Sequence, residues 1–148
     1  MMSNTNEMLV EFDAVGENEG FARVVIAAFV ARLNPTLEEL GDIKVAVSEA
    51  VTNAIIHGYE GTTGKIRITA QLEGAVLTIK ITDFGRGIAD VDKAMEPLFT
   101  TKPEEERSGM GFSFMEAFTD ELQVVSGLGE GTTVTMTKTM GVQDGQDN

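Results

Sequence analysis

The sequence contains no cysteine and no tryptophan. The absence of cysteine excludes disulfides, zinc sites built on thiolates and cysteine nucleophiles. No apolar run approaches the roughly 18 residues that a membrane-spanning helix needs, and residues 1–6 carry neither the basic residues nor the apolar segment of an export signal. We therefore expect a cytoplasmic protein that does not cross a membrane.

Positive charge is scarce as well. The chain has 11 Lys and Arg residues against 24 Asp and Glu residues, and its net charge is −13. Such a field repels a phosphate backbone, so direct binding of nucleic acid is disfavoured. The same field would speed the encounter with a basic protein partner. A surface that is acidic only for solubility would give the same composition.

Three common nucleotide-binding motifs are also missing. A phosphate-binding loop ending at Gly64-Lys65 would require glycine at position 59, where the sequence has Tyr59. The triplet Asp83-Phe84-Gly85 occurs in eukaryotic protein kinases, but no His-Arg-Asp sequence accompanies it. The glycine pairs do not extend to a dinucleotide-binding fingerprint, because Asp90 and Phe114 occupy the third glycine positions.

The chain of 148 residues has the length of one domain. We assign that domain to residues 1–140 and expect the polar residues 141–148 to form a disordered tail. Thr36 followed by Glu39 is a capping box that indicates the start of a helix.

Hydrophobic periodicity predicts the order of the elements. We expect an edge strand over residues 7–15, helices over 17–33 and 36–57, a hairpin over 65–82, a short helix near 91–95, a mobile loop over 97–108, a helix ending at 118, and a last hairpin over 122–140. This order predicts an α+β fold, a two-layer sandwich with helices on one face of a mixed, mainly antiparallel sheet.

Two polar residues of the second helix are candidates for chemistry. Glu49 and Asn53 lie four residues apart and therefore project from one helix face, beside the small side chains of Ala46 and Ala50. The carboxamide oxygen of Asn53 suits magnesium, and Glu49 could then accept a proton from an attacking hydroxyl. A solvated polar pair would show the same spacing.

Glycine-rich segments supply the other candidates. Asp83, Gly85 and Gly87 follow a strand directly, so the carboxylate could accept an amino hydrogen while the glycines let a flat ring approach. An ordinary turn could also begin with an aspartate.

The segment from Arg107 through Ser108 and Gly109 to Gly111 enters a helix, where unpaired N–H groups stabilise a phosphate. Arg107 adds a fork of donors, and Lys102 is a second cationic candidate. A glycine-rich start of a helix is the alternative interpretation.

Taken in order, these motifs and Gly131-Thr132-Thr133 resemble the N, G1, G2 and terminal boxes of the GHKL ATPases, which share the Bergerat fold. The resemblance implies that Asn53 coordinates Mg²⁺ and that Asp83 reads the adenine amino group of ATP or ADP. It also implies that the glycines cradle the phosphates beneath a lid, and that Thr132 supports the adenine end.

Longer stretches, residues 48–59, 97–103 and 106–112, resemble the anti-sigma F factors of endospore-forming bacteria, and the match extends from about Glu7 to Lys138. In that family a homodimer sequesters a sigma factor when ATP is bound. It also phosphorylates a serine of the anti-anti-sigma factor, which otherwise displaces the sigma factor.

That resemblance implies roles for individual residues. Glu49 would be the general base and Arg107 a γ-phosphate contact. Thr100 and Lys102 would contribute to the nucleotide site, and Glu19 with Arg23 would belong to the surface offered to both partners.

Several alternatives stay open. Glu19 and Arg23 are also spaced as a simple exposed ion pair. His57, the only histidine, is interpreted as structural, because the chain has no segment left for a phosphoacceptor helix. A nucleotide-gated sigma-binding module without kinase activity, and a related stress-response anti-sigma kinase, are the competing functions.

Overall fold

The structure is a computed structural model that describes residues 5–59, 62–96 and 111–141. The predicted mobile loop over residues 97–108 and the candidates Thr100, Lys102, Arg107, Ser108 and Gly109 lie outside the described residues, as do residues 142–148 of the predicted tail. The division into one domain and a tail therefore stays a prediction. No helix in the described ranges combines the length and the apolar character needed to span a bilayer.

Five strands form one sheet in the order β1-β2-β3-β5-β4. They are β1 (Thr5–Asp13), β2 (Lys65–Glu73), β3 (Val76–Asp83), β4 (Glu121–Ser126) and β5 (Thr132–Thr139). All four pairings between these strands are antiparallel. The predicted edge position of the first strand is confirmed, because β1 pairs only with β2 among the described strands.

Helices cover one face of this sheet. They are α1 (Glu17–Val30), α2 (Leu37–Asn53), α3 (Val91–Ala94) and α4 (Gly111–Phe118). In β2 and β3 every second side chain is buried, so each of these strands sends a buried row toward the helices. The buried rows of the three central strands consist of Ile66, Ile68, Ala70, Leu72, Leu77, Ile79, Ile81, Val134 and Met136. The structure confirms the predicted α+β sandwich.

The second helix lies at the centre of the helical layer, where α2 packs against α1 and α4. The predicted capping box is present, since Glu39 N–H donates to the Thr36 hydroxyl at 3.0 Å and Thr36 N–H donates to the Glu39 carboxylate at 2.9 Å. The buried face of α2 is apolar and includes Ile43, Val47 and Val51. Burial of this face fixes which side of the helix remains for a ligand.

The end of α2 differs from the expected continuous helix. The α-helix stops at Asn53 and is followed by a π-helical turn over Ala54–Gly58, in which Tyr59 N–H donates to the Ala54 carbonyl at 3.1 Å. Such turns are rare in proteins, and those that occur are often found at functional sites. Here the turn directs the chain toward the end of β3.

Candidate functional site

A cavity of about 330 Å³ opens beside the end of α2, the end of β3 and the segment that carries α3. Of the predicted site residues that the structure describes, five line it. They are Asn53, Asp83, Gly87, Gly111 and Thr132. Its further lining includes the apolar side chains of Ile81, Ile88, Phe112, Leu128 and Val134. A largely apolar cleft with a few polar groups is the usual form of a small-molecule site.

Asn53 enters the cavity as the last residue of α2. Ala50 and Ala54 line the cavity on either side of it, so short side chains leave room against the helix. Glu49 lies one turn earlier on the same helix, is half-buried, and is not among the described residues that line the cavity. The helix therefore presents the carboxamide inside the cavity and the carboxylate next to it.

Asp83 is the buried acid of the site, with only 5% of its surface exposed. Burial raises the pKa of its carboxyl, while hydrogen bonds from the N–H groups of Gly85 and Thr132 oppose that rise. The Gly85 N–H donates to Asp83 Oδ1 at 2.9 Å. Two backbone donors leave the carboxylate with unused lone pairs, so it can still accept a hydrogen from a ligand.

Gly58 and Gly85 allow the π-helical turn to contact the end of β3. A β-carbon at position 85 would lie 1.9 Å from the Gly58 carbonyl oxygen, and the N–H of Arg86 donates to that oxygen at 2.9 Å. Gly85 does not line the cavity but holds this contact behind it. The glycines beside Asp83 thus serve backbone packing as well as access for a ligand.

Tyr59 does not line the cavity, but it supports the segment of Asp83, and the sequence motifs did not indicate this role. Its hydroxyl donates to the Lys65 carbonyl at 2.6 Å and accepts from the Phe84 N–H at 2.7 Å. A β-carbon at Gly64 would lie 2.2 Å from its ring, so the ring fills the space that this glycine leaves. Burial is the main cause of the raised pKa of Tyr59.

A second set of close backbone contacts connects the Asp83 segment to the last hairpin. Gly87 (φ 78°) and Gly131 (φ 77°) have positive φ angles, which glycine adopts without strain. A β-carbon at Gly87 would lie 1.9 Å from the Gly127 carbonyl oxygen, and one at Gly131 would lie 2.2 Å from the Asp83 carbonyl oxygen. These contacts hold the loops of the cavity together.

Thr132 belongs to a small hydroxyl network at the same place. The Ser126 hydroxyl lies 2.8 Å from that of Thr132, donates to the Gly131 carbonyl at 2.9 Å and accepts from the Ile88 N–H at 2.7 Å. Ser126 was not predicted from the sequence. Nothing in the local pattern indicates it, because the network depends on the pairing of β4 with β5.

Within the described ranges, two cationic side chains also line the cavity, Arg86 and Lys93. The Nε–H of Arg86 donates to the carbonyl of His57 at 3.1 Å. Neither cation was predicted as a site residue. Arg86 could have been identified from its position between Gly85 and Gly87, two of the predicted site residues.

The predicted partner-binding residues lie away from the cavity on α1. Arg23 Nε is 3.4 Å from a Glu19 carboxylate oxygen, and the same oxygen accepts a hydrogen bond from the Ser48 hydroxyl. Glu19 is thereby connected to α2 at the residue before Glu49. The ion pair between Glu19 and Arg23 is therefore present, and Ser48 connects it to α2, the helix that carries Asn53.

Known proteins resemble this chain over most of its length. A family model described as a histidine kinase-like ATPase domain matches residues 14–138. The chain is 57% identical over 140 residues to the anti-sigma F factor of Thermoanaerobacter sp. (strain X514), covering 95% of this chain and 98% of that protein. It is 58% identical over 134 residues to the anti-sigma F factor of Bacillus thuringiensis (strain Al Hakam), covering 90% and 92% respectively.

Solved structures share the fold at lower identity. The RsbU and RsbW domains of a Mycobacterium tuberculosis protein align with a TM-score of 0.68 at 22% identity, over 93% of this chain and 33% of that one. The catalytic domain of histidine kinase ThkA aligns with a TM-score of 0.55 at 19% identity, over 90% of this chain and 97% of that one. On the identity and coverage of the anti-sigma F factors, together with the family model, the chain belongs to the anti-sigma F factors and contains a histidine kinase-like ATPase domain.

Proposed function

We propose that this protein is an ATP-dependent anti-sigma factor that binds a sporulation sigma factor and phosphorylates a serine of the anti-anti-sigma factor. One observation carries the proposal: Asn53 of α2 and the buried Asp83 of β3 line the same cavity. Its relatives are named anti-sigma F factors, and a name of that kind implies a sigma factor as partner.

The cavity suits an adenine nucleotide as substrate. Apolar side chains such as Ile81 and Val134 offer surfaces for a flat base, and Asp83 offers an acceptor for the exocyclic amino group. Gly87 and Gly111 line the cavity without side chains, so phosphates could approach the backbone there. Thr132 would support the adenine end, together with the Ser126 hydroxyl.

Asn53 fits a magnesium ion through the chemistry of its donor. A carboxamide oxygen is a hard ligand, and magnesium at nucleotide sites takes its remaining ligands from water and phosphates. When bound, the ion would neutralise charge on the β- and γ-phosphates. Asn53 would hold it at the end of α2, where the short side chains of Ala50 and Ala54 leave space.

Glu49 is proposed as the general base, one turn from Asn53. It would accept the proton of the serine hydroxyl as that oxygen bonds to the γ-phosphorus. The bond between this phosphorus and the β–γ bridging oxygen would break, which leaves ADP and a phosphoserine on the partner. Arg107 would contact the γ-phosphate, with Thr100, Lys102, Ser108 and Gly109 as further contacts from the same stretch of sequence.

The protein partners would be held on α1, outside the cavity lining, and the serine of the anti-anti-sigma factor would reach from there to Glu49 and the γ-phosphate. Glu19 and Arg23 form an ion pair on α1 and are the proposed contact for both the sigma factor and the anti-anti-sigma factor. The net charge of −13 favours encounter with a basic surface. We further propose that the protein acts as a homodimer in the cytoplasm, where its sigma-factor partner would be found.

The test is transfer of phosphate from γ-labelled ATP and Mg²⁺ to a purified anti-anti-sigma protein. Label on a partner serine that Asn53→Ala abolishes would support the kinase and its metal-dependent site. Thr52→Ala, at the neighbouring half-buried position outside the cavity lining, is the matched control. ATP binding without any label would instead indicate a nucleotide-gated sigma-binding module. A competitive pull-down against a stress-response sigma factor tests the remaining alternative.

A further inference from the structure

Tyr59 connects three segments that surround Asp83. Its backbone N–H ends the π-helical turn, its hydroxyl donates to the Lys65 carbonyl at the start of β2, and the same oxygen accepts from the Phe84 N–H just after β3. Only 6% of its surface is exposed. The residue is therefore a buried link between the second helix and two adjacent strands.

The hydrogen bond from the Phe84 N–H to the Tyr59 hydroxyl constrains the backbone next to Asp83. The Phe84 N–H belongs to the peptide group that follows Asp83, so a fixed acceptor there fixes the orientation of that peptide. The next N–H, that of Gly85, donates to the Asp83 carboxylate itself at 2.9 Å. Without the Tyr59 hydroxyl, the peptide between Asp83 and Phe84 would be less fixed in orientation, and so would the neighbouring Gly85 N–H that holds the Asp83 carboxylate.

The hydroxyl suits this position because it must donate and accept at once. A phenol does both, whereas a phenolate could not donate to the Lys65 carbonyl. A phenol is neutral at neutral pH with its ordinary pKa, and burial raises the pKa of Tyr59 further. The ring is held in turn by Gly64, at which any side chain would overlap it.

We propose that Tyr59 is a positioning residue for base recognition, which orients the Asp83 carboxylate toward an adenine amino group and so sets the preference for adenine over guanine nucleotides. This inference rests on the proposed nucleotide site. Adenine presents an amino donor where guanine presents a carbonyl acceptor, and a carboxylate favours only the donor. The preference therefore depends on the direction in which the carboxylate points.

The experiment compares wild type with Tyr59→Phe, which keeps the ring and removes only the hydroxyl. Binding of ADP and of GDP is measured by calorimetry, and phosphotransfer is measured at saturating ATP. We expect the affinity for ADP to fall about tenfold, because a misoriented Asp83 carboxylate would lose its hydrogen bond to the adenine amino group, and one buried hydrogen bond contributes about that much. The preference for ADP over GDP should fall with it. The rate at saturating ATP should stay close to that of wild type, because the chemistry lies at the other end of the nucleotide.

Ile43→Val is the matched control, since it trims a buried side chain of α2 outside the cavity lining. It should leave the ratio of ADP to GDP affinity unchanged. Amide exchange gives a second measurement, in which the Phe84 N–H should exchange faster in Tyr59→Phe than in wild type.

An unchanged preference for ADP in a folded Tyr59→Phe protein would overturn the assignment of Tyr59 alone. Unchanged exchange at the Phe84 N–H would do the same. If the wild type bound neither ADP nor GDP, the proposed nucleotide site itself would be wrong. The two failures are therefore distinguishable.

Discussion

Gly58 and Asp83 are packed so closely that a β-carbon at position 58 would lie 2.8 Å from the carboxyl carbon of Asp83 and 2.9 Å from each of its oxygens. The π-helical turn that ends α2 therefore touches the acid at the end of β3 through bare backbone. The position of this carboxylate depends on a residue without a side chain, as well as on its own hydrogen bonds.

The first prediction concerns that contact. Gly58→Ala should displace the Asp83 carboxylate and weaken adenine-nucleotide binding by about tenfold or more, which corresponds to about 1.4 kcal/mol. Gly41→Ala is the matched control, because nothing lies within 4 Å of its β-carbon and it sits in the exposed part of α2. The control should raise stability by about 0.5–1 kcal/mol and leave binding unchanged. Equal nucleotide affinity in both variants would contradict the packing argument.

The second prediction follows from the raised pKa of Asp83. The folded protein holds the Asp83 proton more tightly than the unfolded chain does. The stability that this proton contributes is complete below the ordinary carboxyl pKa and is lost as pH rises through the raised, folded value. Asparagine does not titrate. The free energy of unfolding of Asp83→Asn, relative to wild type, should therefore increase as the pH rises above the ordinary carboxyl pKa of about 4.

Urea unfolding of the nucleotide-free protein measures this difference across the pH range. Asp92→Asn, at an exposed position of α3, removes the same charge without a buried carboxyl and is the control. A difference between Asp83→Asn and wild type that stays constant with pH would contradict the raised pKa. The Asn variant should also bind ATP more weakly, because its side chain presents a donor where the acid presents only acceptors.

The third prediction separates binding from chemistry. Glu49 lies outside the cavity lining, so Glu49→Gln should leave the affinity for ATP close to that of wild type. If Glu49 is the general base, phosphotransfer to the anti-anti-sigma protein should fall by a factor of about 10² to 10⁴. Glu38→Gln, at an exposed position in the first turn of α2, is the control. Transfer at the wild-type rate in Glu49→Gln would remove the base assignment.

The order of the elements and two of the polar residues that line the cavity were predictable because their signals are local. Alternating side chains indicate β2 and β3, and Thr36 with Glu39 indicates the start of α2, since each pattern acts within a few residues. Asn53 and Asp83 were identified from short motifs. The structure places both on the same cavity.

The parts that were not predicted depend on contacts between distant segments. Two contacts with distant segments accompany the π-helical turn. The Tyr59 ring fills the space at Gly64, and the Gly58 carbonyl accepts a hydrogen bond from the Arg86 N–H. The hydroxyl network of Ser126 requires the register between β4 and β5. Neither arrangement leaves a periodic trace in the sequence, so only the folded structure reveals it.

The last prediction decides between two interpretations of Arg23. An exposed ion pair contributes about 0–1 kcal/mol to stability, whereas an arginine at the centre of a protein interface contributes about 2 kcal/mol or more to binding. Arg23 lies 3.4 Å from Glu19, and 44% of its side chain is exposed, so it is held in place while it remains accessible. Arg23→Ala should therefore weaken binding of the anti-anti-sigma factor by about 30-fold or more.

The same variant should unfold at nearly the wild-type urea concentration and bind ATP normally, because α1 does not line the cavity. Arg32→Ala removes an equal charge from an exposed position beyond the end of α1 and is the matched control. Titration of partner into each variant measures the effect. If Arg23→Ala and Arg32→Ala change the affinity for the partner by the same factor, the effect does not depend on the position on α1, and the Glu19–Arg23 pair is only a surface ion pair. A loss confined to Arg23→Ala would place the docking surface on α1, next to the helix that carries Glu49.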